Sequence, residues 1–339
     1  MFEDVLLVTD KPMRAPAVGR VRTLESRLLE TDFIDRIIDS GSLNEALQIL
    51  GESPDYQSSI GSLSNSWGWD EALSRHLQEI VILTGLLLEN SEAFILLRLK
   101  WDVHNAKIIL KSSYFKPSIM PRFVDCGNWS IDCIRKSMEE KRWHGDCAKY
   151  LAPVVEAGKT AYEKLKDIQA IELGMDRAEM EITVSKLPNK KPYFLYRYFQ
   201  ARIDLANVRI AIRLHTLKKP KEYGHIALSD GGTISKSLYI DSWEEPLSSL
   251  ITRLTKTSTG YIFSTAFDSS RENNSEDIDK AIMRLPIQFS SIARRIPFGF
   301  PPVAGYLFAK ENEVAVLRSI LAGKANGMSK DAIREMLWS

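Results

Sequence analysis

The sequence predicts an all-α protein built from three similar helical bundles. Three observations carry that prediction. Apolar residues recur with helical period through most of the chain. Strand signals, meaning short alternating runs closed by Asn-Gly or Asp-Gly, are nearly absent. One amphipathic pattern occurs three times: in WDVHNAKIIL (Trp101 to Leu110), in IDLANVRIAI (Ile203 to Ile212), and in the weaker EVAVLRSIL that starts at Glu313.

Taken in order, the first helix start is SLNEAL at Ser42, where Ser followed three residues later by Glu makes a capping box. Trp69 to Leu99 carries a long amphipathic pattern that runs on into the first copy. Ser130 to Met180 is mostly helix-compatible, as are Tyr193 to Leu217, Ser242 to Leu254, Ser275 to Arg294 and Ala304 to Leu321. A short helix, Lys330 to Leu337, closes the chain. Asn326-Gly327 stops the helix before it in left-handed geometry, and Ser329 caps its start. Breaks rich in Pro, Gly, Asn or Ser fall at Lys116 to Gly127, Ser185 to Pro192, Lys218 to Gly232, Asp268 to Asn274 and Ile296 to Pro302. The first and third of these divide the chain into lobes 1–115, 116–219 and 220–339.

The repeat is read by aligning its acids. Asp102, Asp204 and Glu313 correspond. Three residues on stand Asn105, Asn207 and Val316, and five residues on stand Lys107, Arg209 and Arg318. The positions one, four and eight after the acid are apolar in every copy: Val103, Ala106 and Leu110; Leu205, Val208 and Ile212; Val314, Leu317 and Leu321. On a helix of 3.6 residues per turn these form one buried stripe, with acid and Asn along one edge and the base along the other. The eight polar residues are therefore expected to be structural or interface groups, the acid of one copy pairing with a base on a neighbouring helix. A second repeat is expected in step with the first, as helix starts at Ser42, Ser137 (SMEE) and Ser242 (SWEEPL). The period is too long for a solenoid of short units and indicates a domain-sized repeat.

Composition excludes several classes. The 339 residues carry 45 basic and 44 acidic side chains, a net charge of +1, without the basic excess of a nucleic-acid protein. Three cysteines, Cys126, Cys133 and Cys147, do not make a disulfide framework and fit a reducing compartment. The start MFEDVLLVTD lacks a basic n-region, and the longest apolar run, Ile80 to Leu88, is too short to cross a bilayer. A soluble, cytoplasmic chain is expected.

The copied stretches resemble one family. IDLANVRIAI preceded by YRYFQAR, and above all YLFAKENEVAVLRSILAGKANGMSKDAIREML, are similar to the C subunit of archaeal and bacterial V-type (A-type) ATPases, related to the eukaryotic d subunit. WDVHNAKIILK is similar to the first copy. Two departures stand out. Val316 replaces the family's usual Asn, and the loop FGFPPV, Phe298 to Val303, lacks the acid usual beside its Pro. The resemblance implies a non-catalytic rotor part: a three-lobed helical funnel of pseudo-threefold arrangement. It would be monomeric alone and sit on the cytoplasmic face of the membrane proteolipid ring. There it would receive a central shaft made of the D and F subunits, with the copied helix as the inner stave of each lobe.

No catalytic residue, cofactor, metal, nucleic acid or small-molecule substrate is expected. Gly158-Lys159-Thr160 lacks the Gly that a nucleotide loop needs, since Pro153 stands there. Cys126, Cys133, His144 and Cys147 lack the close Cys pairs of structural zinc sites. His104 has Ala206 and Ala315 at its matching positions, which fits a helix-surface residue. Lys218, Lys219 and Lys221 read as a solvated helix end. Trp129, Trp143 and Trp243 read as core or staple residues, and as docking anchors if exposed. The competing readings are an unrelated cytoplasmic helical scaffold and a helical enzyme built on the Cys and His cluster.

Overall fold

The structure is a computed structural model that describes residues 3–7, 15–115, 122–257 and 275–338. The expected break at Asp268 to Asn274 lies outside these residues, as does part of the one at Lys116 to Gly127. Among the described residues the regular elements are all helical, with no strand. They are α1 (Ala15–Glu25), α2 (Thr31–Asp39), α3 (Leu43–Gly51), α4 (Gln57–Gly61), α5 (Trp69–Leu87), α6 (Glu92–Tyr114), α7 (Ile131–Glu139), α8 (Ala152–Leu165), α9 (Ile168–Ser185), α10 (Tyr193–Thr216), α11 (Lys221–Ala227), α12 (Lys236–Asp241), α13 (Leu247–Thr255), α14 (Ser275–Arg294), α15 (Phe300–Ala325) and α16 (Lys330–Trp338). Short 3-10 turns occur at Glu3–Leu7, Ser66–Gly68 and Pro188–Lys190, and a π-turn, Cys147–Leu151, leads into α8.

The long pattern from Trp69 is two helices. Glu89 and Asn90 both adopt left-handed backbone (φ 55° and 45°), which stops α5 and turns the chain into α6. At the other end, α15 starts earlier than the periodicity indicates. Gly299 (φ 90°) makes the turn, and Pro301 and Pro302 occupy the first helical turn, where a missing N–H costs nothing. The last two elements match expectation: Gly327 is left-handed (φ 71°), and the Ser329 hydroxyl accepts from Ala332 N at 3.2 Å.

The second repeat does not hold in full. Ser42 caps α3, accepting from Glu45 N, while the Glu45 carboxylate takes Gly41 N at 2.6 Å. Ser137 lies inside α7, and Ser242 ends α12, its hydroxyl donating back to Leu238 O. Pro246 sets the start of α13 instead.

The chain divides into two compact units. One comprises Met1–Val5 and Ser91–Leu285; the other comprises Leu6–Asn90 and Pro286–Ser339. In the first unit, α8 and α9 form a hairpin, turned by left-handed Lys166 and capped by Asp167, whose carboxylate accepts from Gln169 N. Gly158 and Gly174 let their backbones meet. A Cβ on Gly158 would lie 2.5 Å from Met175 Cγ, and one on Gly174 2.7 Å from Ala161 Cβ. The α9 helix also packs on α6, α10 and α11. Across its contact with α10, Arg202 binds buried Glu179 bidentately at 2.7 and 2.9 Å.

In the second unit α15 is the central helix, packed by α1, α2, α3, α5 and α16. Every side chain from Phe300 to Phe308 is buried. The helix is thus apolar around its circumference here rather than along one stripe, as a helix enclosed on all sides must be.

Candidate functional site: the joints of the copied helices

The copied helices are α6, α10 and α15, and their polar residues form three comparable joints. Asp102, midway along α6, is fully buried. Its carboxylate accepts Asn128 N at 2.8 Å, Asn128 Nδ2 at 2.7 Å and Trp129 N at 3.1 Å. One helical turn on, Asn105 Oδ1 accepts Val124 N at 2.9 Å while its Nδ2 donates to Val124 O at 2.8 Å. Residues 124–129 are thereby strapped along α6 and delivered to the start of α7. Gly127 is required for this, because a Cβ there would lie 2.2 Å from Asp102 Oδ1. Arg98 adds bonds to the Cys126 and Gly127 carbonyls.

The second joint repeats the first. Buried Asp204 on α10 accepts Thr233 N at 3.1 Å, Thr233 Oγ1 at 2.5 Å and Ile234 N at 3.0 Å. Asn207 Oδ1 accepts Ser229 N and its Nδ2 donates to Ser229 O, both at 2.9 Å. Gly232 again precedes the capped residue, and its Cβ would lie 2.2 Å from Asp204 Oδ1. This strap delivers α12.

The third joint differs in chemistry. Glu313 on α15 accepts Leu29 N at 2.6 Å, two residues before α2 starts. Its other oxygen takes the Tyr56 hydroxyl at 2.8 Å and the Lys310 ammonium at 2.6 Å. Lys310 has no exposed surface and also pairs with Asp55 at 2.5 Å. The Tyr56 ring lies beneath the ammonium at 5.1 Å and against the His76 ring at 4.4 Å. Val316 offers no counterpart to the Asn anchors.

The bases behave alike in all three copies. Lys107 pairs with Asp176 on α9, Arg209 with Asp279 on α14 at 3.3 Å, and Arg318 with Asp70 on α5 at 2.7 Å. Arg318 also donates to Ser74 Oγ at 2.9 Å.

These geometries correct the expected pairing of acids with bases on neighbouring helices. Asp102 and Asp204 are not margins of a seam but buried acceptors of backbone N–H groups. Glu313 meets a base, yet that base, Lys310, belongs to its own helix. The bases Lys107, Arg209 and Arg318 are the groups that reach across to another helix. Reading along the helix missed Gly127, Gly232, Asp55, Tyr56 and Lys310. The only sequence signal was a Gly directly before the Asn or Thr of each strap.

Electrostatics follow from burial. Desolvation pushes the Asp102 carboxyl up to about 6, against the pull of the Asn128 and Trp129 bonds and of Arg98. Burial likewise raises Asp204 against the Thr233 and Ile234 bonds. In the third joint burial, reinforced by Glu313, holds the Tyr56 phenol well above its ordinary value. His76 is pushed down to about 4 by burial and then by the Lys310 charge.

The remaining sequence candidates are placed as follows. Cys126 and Cys147 are buried and Cys133 is exposed; burial pushes the Cys147 thiol up to about 12. Among the described residues, no three His, Cys, Asp or Glu side chains come together in a group fit for a metal ion. Gly158-Lys159-Thr160 lies within α8, not in a loop. His104 is a surface residue beside the Arg122 carbonyl at 3.1 Å. Lys219 pairs with Asp167 at 3.6 Å and covers the Tyr223 ring. Trp129, Trp143 and Trp243 are half-buried, and among the residues whose burial is described the exposed tryptophan is Trp67.

Among the described residues the elements are all helical, and α6, α10 and α15 carry comparable polar joints whose buried groups hold backbone and neighbouring helices, which defines a helical fold with internal repetition. Comparison with known proteins makes that class specific. Residues 17–336 match the family model described as ATP synthase (C/AC39) subunit, and the chain belongs to that family of ATP synthase subunits. Its relatives include the C subunit of the A-type ATP synthase of Methanocaldococcus jannaschii, 23% identical over 98% of this chain and 88% of the relative. The same subunit of Methanobrevibacter smithii is 24% identical over 98% and 91%, and that of Halobacterium salinarum 30% identical over 52% of each.

Proposed function

We propose that the protein is the non-catalytic central-stalk subunit of a rotary A-type ATP synthase. In this reading it is a socket that couples a shaft made of the D and F subunits to the membrane proteolipid ring. It is built of three similar lobes, 1–115, 116–219 and 220–339, in a funnel of pseudo-threefold arrangement, monomeric alone and peripheral on the cytoplasmic face. The observation that carries the reading is the family match over nearly the whole chain, joined to a polar joint that repeats on α6 and α10 and recurs with changed chemistry on α15. A coupling part needs stiffness rather than a reactive group, and buried, satisfied carboxylates hold backbone rigidly. Among the described residues no helix is long and apolar enough to cross a membrane, so attachment to a ring would run through the protein surface.

In this reading the exposed apolar pair Ile82 and Leu86, one turn apart on α5, is the surface assigned to the shaft contact. The same helix carries Asp70, the acid that receives the base of the third copied helix. The alternative of an unrelated scaffold falls with the family membership.

The test is reconstitution of the purified chain with its shaft partners and a detergent-solubilised ring. Co-elution of all components, with no ATP hydrolysis by the chain alone, is expected. Turnover by the isolated chain, or failure to bind either partner, refutes the proposal.

A further inference from the structure

We infer that the contact between Leu29 and Glu313 is a releasable clasp, the joint at which the repeated fold opens first. It follows from comparing three joints of one design. The first strap is tied to its helix at Val124 N, Val124 O, Asn128 N, Asn128 Nδ2 and Trp129 N. The second is tied at Ser229 N, Ser229 O, Thr233 N, Thr233 Oγ1 and Ile234 N. Among the described residues, Glu313 takes a single backbone amide, that of Leu29, and Val316 provides no second anchor.

The state left behind differs most. Releasing the first strap strips a buried carboxylate of its Asn128 and Trp129 donors, which is costly. Releasing Leu29 leaves Glu313 bound to Lys310 at 2.6 Å and Tyr56 at 2.8 Å, with Lys310 still held by Asp55. Oε2 gives up the Leu29 amide, while Oε1 keeps the charge paired.

The helices on either side keep their own anchors. Arg22 on α1 donates to the Ala293 and Ile296 carbonyls, and Lys324 donates to the Ile38 and Ser40 carbonyls at the end of α2. Opening therefore frees the α1–α2 link, residues 26–30, without dismantling the bundle. The clasp is independent of the coupling role proposed above.

Residue-resolved hydrogen exchange on the full chain, corrected for intrinsic rates, tests it. The Leu29 amide is expected to be about tenfold or more less protected than those of Asn128, Trp129, Thr233 and Ile234. Glu313→Gln weakens the hold on Leu29 and should raise its exchange further while leaving those four amides unchanged. Leu29 protection equal to or above theirs, or a uniform rise at all five positions in the variant, overturns the clasp. If Glu313→Gln does not fold, the wild-type comparison alone decides.

Discussion

Gly127→Ala places a methyl group where a buried carboxylate oxygen now lies. The added Cβ would sit 2.2 Å from Asp102 Oδ1 and 2.9 Å from its Cγ, far inside van der Waals contact. Asp102 cannot yield freely, because it is fully buried on α6 and holds Asn128 and Trp129. The strap must move away, or the carboxylate must rotate off its donors. Overpacking of this kind costs about 1–3 kcal/mol, and each hydrogen bond lost adds about 1 kcal/mol. We expect a loss of about 3–5 kcal/mol in the unit that contains α6. Urea unfolding followed by circular dichroism measures it. Gly61→Ala is the control, since no atom lies within 4 Å of its built Cβ. The cause is isolated by repeating Gly127→Ala in an Asp102→Ala background, where the clash is gone and the added cost should be under about 1 kcal/mol. Wild-type stability for Gly127→Ala, or the same cost in both backgrounds, would refute the reasoning.

Three further outcomes are expected. Asn105→Ala and Asn207→Ala each remove two bonds and strand a backbone N–H and C=O, costing about 2–3 kcal/mol in thermal or urea unfolding; Val316→Ala should cost about 1 kcal/mol. His76 has a folded value of about 4 against an ordinary 6.5, so the unfolded chain takes up its proton first as pH falls. Its contribution to stability is therefore full above pH 6.5 and lost progressively towards pH 4, by about 3 kcal/mol; His76→Gln should flatten the pH dependence of urea midpoints across that window, and an unchanged slope would exclude the residue as its source. Leu86→Asp, at a residue 67% exposed, should leave the unfolding midpoint unchanged while weakening shaft binding about tenfold or more in a pull-down titration; undiminished binding removes α5 from the proposed docking surface.

Much of the helical content was legible because its signals are local. The period of apolar residues marks α10 and α14 almost to the residue, and Asn326, Gly327 and Ser329 mark the turn between α15 and α16. Glu89 and Asn90 were missed as a break: Asn tolerates left-handed backbone, but Asn90 stands in an apolar pattern that continues on both sides, and Glu89 gives no local sign. Ser137 and Ser242 carry the letters of a capping box but no cap: Ser137 lies inside α7, and Ser242 follows the last residue of α12.

The sequence by itself determined that one polar triad, acid, Asn and base, sits beside one apolar stripe in α6 and α10, and that the acid and base recur without the Asn in α15, which placed Asp102 and Asp204 in register with Glu313. Only the tertiary structure decided what those groups hold. Asp102 and Asp204 take backbone amides from straps that begin after the helix has ended. Glu313 reaches back to the opening part of the chain, and Lys107, Arg209 and Arg318 find acids on other helices. The reason is physical. Helical periodicity is set by neighbours within a turn and is written in the local order of residues. The partner of a buried carboxylate is whichever donor the packed chain brings within hydrogen-bonding distance, and that donor has no fixed spacing from it in sequence.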